Sequence, residues 1–154
     1  MSYEAQLENM GYPVPELPVV SARPFEPGIK TGNLIFVSGN AARVGGELKY
    51  TGIVGKDVTL QEAQDAARIC FVNCLAAVKK LEGSLDAITR IVNIKGYVAS
   101  SPDFTSQPKV MDEVSKLAWE VFGEAGKHSR VALGAASLPG NTPVEVEMVV
   151  EVRP

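Results

Sequence analysis

From Val144 to Val152 the chain alternates: Val144, Val146, Met148, Val150 and Val152 fall on one side of an extended strand, and Glu145, Glu147 and Glu151 on the other. One face of that strand suits a core and the other suits polar surroundings. Thr59 opens a different pattern. Thr59-Leu60-Gln61-Glu62 is a capping box, and Ala63, Ala66, Ala67, Cys70, Cys74, Val78 and Leu81 form one apolar stripe up to Gly83, which predicts a long amphipathic helix. Pro108 suits the first turn of a second helix, with Val110, Val114, Leu117, Val121 and Phe122 on its inner side and Gly123 as its stop. A short N-terminal helix capped by Ser2 follows from Tyr3, Leu7 and Met10, with Gly11 ending it.

The remaining elements read as strands. Pro13, Pro15 and Pro18 force an extended connector, after which Val19-Val20 and Leu34 to Ser38 are extended. Gly32-Asn33 and Gly45-Gly46 are turn signals, so an antiparallel hairpin or meander is expected there. Ile88 to Ala99 is β-branched and aromatic, and its run Ile91 to Ile94 suits a buried strand. Arg130 to Ala136 and Val144 to Val152 flank the turn residues Leu138-Pro139-Gly140-Asn141. The order strands, helix, strand, helix, strands predicts an α+β fold: a single domain over residues 1–154 with a mixed sheet, two long helices packed on one face, and residues 1–22 as an extension packed on the body. The other face, expected to carry Arg130, Ala132, Glu145 and Glu147, is left for water or another subunit.

At 154 residues, 45% hydrophobic and 21% charged, the chain has the make-up of one ordinary globular domain. Its net charge of −3 provides no bulk attraction to nucleic acid, so a nucleic-acid partner is not expected. Two cysteines exclude a disulfide framework and suit a reducing compartment. The acidic start is not a signal peptide, and no run reaches about 18 apolar residues. A cytoplasmic protein with no membrane contact is expected.

Most familiar chemistry is excluded by the residues themselves. Cys70 and Cys74 are one helical turn apart, but both sit in the apolar stripe and nothing completes a metal site, so core packing is expected. His128 is the sole histidine; it could act as an acid or base, or be an exposed loop residue beside Lys127 and Ser129. No glycine run has the spacing of a phosphate loop, and no serine stands in a nucleophile elbow. Arg130 opens an apolar strand. If that strand pairs with the next one, Arg130, Glu145 and Glu147 share the face away from the helices, as a carboxylate-binding cation flanked by acids. A cross-strand surface ion pair, contributing about 0–1 kcal/mol, meets the same pattern.

Three tracts resemble the Rid family, the reactive intermediate deaminases, also called the YjgF or endoribonuclease L-PSP family. They are Leu34-Ile35-Phe36-Val37-Ser38-Gly39-Asn40; Thr51-Gly52-x-Val54-Gly55-x-Asp57-Val58; and Arg130 to Leu138-Pro139 followed by Pro143-Val144-Glu145-Val146-Glu147. The likeness runs from about Arg23 to the C-terminus and fits a longer-chain branch rather than RidA itself. It implies a chorismate-mutase-like fold, a homotrimer and clefts between subunits. It implies further that Arg130 holds the carboxylate of a 2-imino or 2-aminoacrylate acid, that Glu145 orients water, and that Ser38 and Gly39 line the pocket. The chain departs from the family pattern at Phe25, where the family has a tyrosine, at Ala132, where it has a cysteine, and at Ser115, where it has an asparagine; all three would contact substrate.

The function so implied is hydrolysis of 2-imino or enamine acids to 2-oxo acids and ammonia, without cofactor or metal, in a homotrimer whose partner is a small 2-imino or 2-oxo acid. Two other readings are a non-catalytic carboxylate-binding trimer and the ribonuclease or translation inhibitor of the older family name.

Overall fold

The computed structural model describes residues 1–17 and 23–154. The expected extended residues Pro18, Val19 and Val20 lie outside the described residues. Ser2 caps α1 (Tyr3–Asn9), its Oγ accepting from the Ala5 N–H. A hairpin of β1 (Gly28–Thr31) and β2 (Leu34–Ala41) turns at Gly32-Asn33, and a two-stranded ribbon of β3 (Arg43–Val44) and β4 (Glu47–Leu48) turns at Gly45-Gly46. α2 (Leu60–Glu82) begins with the capping box, in which Thr59 Oγ1 accepts from the Glu62 N–H while the Glu62 carboxylate accepts from the Thr59 N–H. It ends at Gly83, whose φ of 87° is the left-handed value glycine tolerates. β5 (Ile88–Ala99), α3 (Gln107–Phe122), β6 (Ser129–Ala135) and β7 (Val144–Val152) complete the chain.

The five long strands form one mixed sheet in the order β1-β2-β7-β5-β6. β5 and β6 are parallel, joined across α3, and every other pair is antiparallel. α2 packs on β2 and β7, and α3 on β5 and β6, so both long helices lie on one face. Val144, Val146, Met148, Val150 and Val152 are buried beneath them, as the alternation predicts. Cys70 and Cys74 belong to this core. Their thiols donate to the carbonyls of Val144 (3.3 Å) and Val146 (3.2 Å), and burial pushes the Cys74 thiol up to about 12. No helix among the described residues is long and apolar enough to cross a membrane.

Residues of α1 and the segment after it contact the body of the domain. Leu7 is buried, and the rings of Tyr3 and Phe122 meet at a tilt of 51° with centroids 4.5 Å apart. Farther on, Asp65 of α2 accepts from Tyr12 Oη (2.6 Å), Tyr50 Oη (2.7 Å) and Lys49 Nζ (2.8 Å). Burial alone would raise the Asp65 carboxyl, but these three donors outweigh it and hold the group below its ordinary value.

One neighbour relation differs from expectation. β6 does not lie beside β7; β5 separates them. The parallel register pairs Arg130 with Ile94, Ala132 with Gly96 and Gly134 with Val98, and Ile94, Gly96 and Val98 are buried toward the helices. Arg130 and Ala132 are therefore on the helix side, whereas Glu145 and Glu147 are on the bare side. The physical reason is the crossover: a strand that enters after a helix laid on the sheet joins parallel to the strand before that helix, not to the strand that follows.

α3 approaches β5 closely because Gly96 has no side chain; a Cβ there would run into Met111 Sδ. Gly96→Ala is expected to lower stability by about 1–3 kcal/mol in urea unfolding, and Met111→Ala in the same chain should make the combined loss smaller than the sum of the two single losses.

Candidate functional site

Arg130 is the second residue of the edge strand β6, and α3 passes over it. Its Nη1 lies 2.9 Å from Asp112 Oδ1 and 3.1 Å from Ser115 Oγ, two residues that share one face of α3 by their i, i+3 spacing. The arginine side chain is 22% exposed and the Asp112 side chain 50%, so the ion pair stands at the rim and its strength is limited by solvent. Both bonds use Nη1. Within the described residues, the Nε–Nη2 edge of the guanidinium makes no hydrogen bond. That edge has the planar two-donor geometry a carboxylate fits.

His128 completes this cluster. It lies between a 3₁₀ turn over Gly123–Gly126 and β6, half-buried rather than in an exposed loop. Nδ1 is 2.6 Å from the Gly126 carbonyl oxygen and Nε2 is 2.9 Å from Ser115 Oγ. Burial holds its pKa below the ordinary value against the opposing hydrogen bond to Gly126, and the charge of Arg130 adds to the lowering.

A second cluster lies across the sheet. The register of β2 slips between Val37 and Asn40, and the bulge turns out Ser38 and Gly39. Ser38 Oγ donates to the Glu26 carbonyl at 2.6 Å, which ties β2 to the segment bearing the exposed ring of Phe25. A Cβ on Gly39 would stand 2.9 Å from Glu145 Oε1, so the glycine admits the carboxylate to this corner. Burial raises the Glu145 carboxyl, and the neighbouring Glu147 adds to the rise. Glu147 accepts from Tyr97 Oη at 2.5 Å, a bond that pushes the phenol up to about 12.

The structure thus sorts the residues singled out in the sequence into two groups. Arg130 on β6 is hydrogen-bonded to Ser115 on α3, with Ala132 two residues farther along the strand, while Gly39 and Glu145 meet at the bulge, where Ser38 holds the carbonyl of the residue after Phe25. Arg130 does not pair with Glu145 or Glu147; its partner is Asp112. Sequence reading missed Asp112 and Tyr97. Asp112 and Ser115 do leave a trace, as a polar i, i+3 pair beside the apolar stripe of α3, but nothing local says that Arg130 lies beneath it. Among the described residues, no three His, Cys, Asp or Glu side chains converge as metal ligands would.

The bare face carries four exposed apolar side chains, Ile29, Phe36, Val131 and Leu133, beside the two glutamates. Register places them in two groups: Ile29 opposite Phe36 at one end of the sheet, and Val131 and Leu133 opposite Lys95 and Tyr97 at the other.

The chain is 36% identical over 152 residues to Protein TCP17 of Trypanosoma cruzi, covering 97% of this chain and 93% of that one. The solved structure of the protein Atu1372 from Agrobacterium tumefaciens, described as of unknown function, superposes with a TM-score of 0.92 at 40% identity, covering 99% of this chain and 94% of that one. The structure of E. coli TdcF with bound serine shares the fold, with a TM-score of 0.60 at 20% identity over 87% of this chain and 91% of that one. Residues 4–152 match the model of the family described as "YjgF/chorismate_mutase-like, putative endoribonuclease", and the chain is a member of that family.

Proposed function

We propose that the protein is a cofactor-free hydrolase of small 2-imino acids, releasing 2-oxo acids and ammonia in the cytoplasm, and that it works as a homotrimer. The observation that carries this reading is the Nε–Nη2 edge of Arg130, a two-pronged donor at the open edge of the sheet. A carboxylate seated there places the adjacent imine carbon near Ser115 and Ala132. Water adds to that carbon, the C–N bond breaks, and ammonia leaves. Glu145, whose carboxyl is raised by burial and by Glu147, orients the water from the facing subunit. The structure of TdcF, a distant structural neighbour, contains bound serine, a small molecule that carries a carboxylate.

Arg130 and Glu145 stand on opposite faces of one sheet, so the reading requires two copies: the β6 edge of one subunit meets the bulge of another. The exposed Ile29, Phe36, Val131 and Leu133 suit burial between subunits. The family description also names ribonuclease activity. The net charge of −3 offers little for an RNA backbone, and loss of carboxylate-directed hydrolysis without loss of RNA cleavage in an Arg130 variant would favour that second reading.

Sedimentation is expected to show a species near three times 16.4 kDa. Leu133→Glu, which sets a charge on the bare face, should lower that mass while leaving the circular dichroism unchanged; a wild-type monomer at micromolar concentration would refute the shared cleft. Ammonia release in a coupled threonine dehydratase reaction tests the chemistry. Arg130→Ala should weaken substrate binding by about 1.5–3 kcal/mol, roughly ten- to hundredfold, and Arg130→Lys should recover little because it lacks the planar fork. Full activity in Arg130→Ala would leave the residue a structural partner of Asp112.

A further inference from the structure

Arg130 touches a chain of hydrogen bonds that ends on the one histidine of the protein. The Gly126 carbonyl can only accept, so Nδ1 of His128, 2.6 Å away, carries the ring hydrogen. In the neutral ring Nε2 is then an acceptor, and the Ser115 hydroxyl, 2.9 Å away, donates to it. Ser115 Oγ also accepts from Arg130 Nη1 at 3.1 Å. A hydroxyl oxygen has two lone pairs, so with its hydrogen on His128 and one pair on Arg130, Ser115 keeps one pair for a third group. Gly126 is itself fixed, because a Cβ at that position would run into the Ala118 carbonyl of α3. The orienting carbonyl, the hydroxyl and the arginine are therefore held to the same helix.

We propose that Ser115 and His128 form a proton relay for the reaction at Arg130, in which Ser115 touches the attacking water and His128 accepts the proton through it. This rests on the reading of Arg130 as the carboxylate holder. A carboxylate on the Nε–Nη2 edge leaves Nη1 on Ser115, so substrate binding does not dismantle the relay. Starting from the iminium acid, the water oxygen bonds to the iminium carbon as the C=N π pair moves to nitrogen. The water proton passes to Ser115 Oγ while the serine proton passes to His128 Nε2, which gives the neutral carbinolamine and an imidazolium. The proton returns by the same path to the amine nitrogen. The C–N bond breaks with its electron pair on nitrogen, the hydroxyl O–H pair closes the C=O bond, and the proton released there is taken up by ammonia.

Burial favours the neutral, accepting form of His128, and the charge of Arg130 adds to it. Arg130 faces it from β6, with Asp112 of α3 beyond the arginine. In the turn, Glu124 and Lys127 pair with each other at 2.6 Å, and from β5 Arg90 Nη1 donates to the carbonyls of Glu124 and Lys127 at 2.9 Å. The histidine is thus neutral above its lowered pKa and loses its accepting role as the pH falls through it.

Because the ring is unique, two-dimensional ¹⁵N NMR of the full chain reads it without assignment. The Nδ1-protonated tautomer is expected, with a titration midpoint below 6.5. Adding 2-oxobutyrate should shift the Nε2 resonance in the wild type and not in Ser115→Ala. In the coupled assay, Ser115→Ala and His128→Gln should each lower kcat by roughly a hundredfold with KM within about twofold, and His128→Gln should flatten the acid limb of the kcat profile. Ser115→Thr, which keeps the hydroxyl, should restore kcat and that limb, which separates the relay from a merely structural loss. An Nε2-protonated ring, or a wild-type kcat and acid limb in His128→Gln while the wild type hydrolyses 2-iminobutyrate, would overturn the relay and leave the proposed function standing. A wild type that releases no ammonia would overturn both.

Discussion

The architecture depends on one strand. β7 lies at the centre of the sheet, hydrogen-bonded to β2 on one side and β5 on the other, and its five inward side chains are 0–2% exposed. Burying each such side chain contributes about 1.5–3 kcal/mol, so this row alone anchors α2 to the sheet. The small residues of α2, above all Ala63, Ala66, Ala67, Cys70 and Cys74, let the helix lie close enough for its thiols to reach the β7 carbonyls. All helical cover is thereby placed on one side. What alternates outward, Glu145 and Glu147 together with the apolar residues of the neighbouring strands, has no helical cover among the described residues.

Packing on the covered side also builds the Arg130 cluster. Gly96, Ala132 and Gly134 form a shallow track under α3, and the helix settles into it. Met111 occupies the space at Gly96, and Gln107 lies over Gly134. Asp112 and Ser115, on the same helix, are thereby carried over the end of β6, where Arg130 meets them. The cation on β6 and the hydroxyl on α3 stand on regular elements, and hydrogen bonds at both ring nitrogens hold His128 in the short connection between the turn and β6. The Glu145 corner at the bulge is built by backbone irregularity instead: the slip after Val37 makes room for Glu145 where a regular strand with a side chain at Gly39 would exclude it.

Much of this was legible in the sequence. The alternation of β7, the stripe and capping box of α2, the Gly83 and Gly123 stops and the span of β5 each depend on residues a few positions apart, and each is present where its pattern places it, except that Leu81, the last member of the stripe, is exposed. Cys70 and Cys74 could be assigned to the core because they share a stripe with alanines. His128 was ambiguous, since its neighbours Lys127 and Ser129 say nothing of a helix 13 residues earlier in the chain whose serine it meets. Asp112 was invisible as a partner for Arg130 for the same reason.

By itself, the sequence determined the elements, the inward faces of α2, α3 and β7, and the family, because periodicity, caps and motifs are local properties of the chain. Only the tertiary structure decided which strands are neighbours. β6 joined β5 in parallel across α3, and this put Arg130 under the helix with Asp112, Ser115 and His128 and left Glu145 on the far face. Strand adjacency is set by how the whole core closes around β7, a sum of contacts between residues far apart in sequence, and a strand's own residues do not encode it.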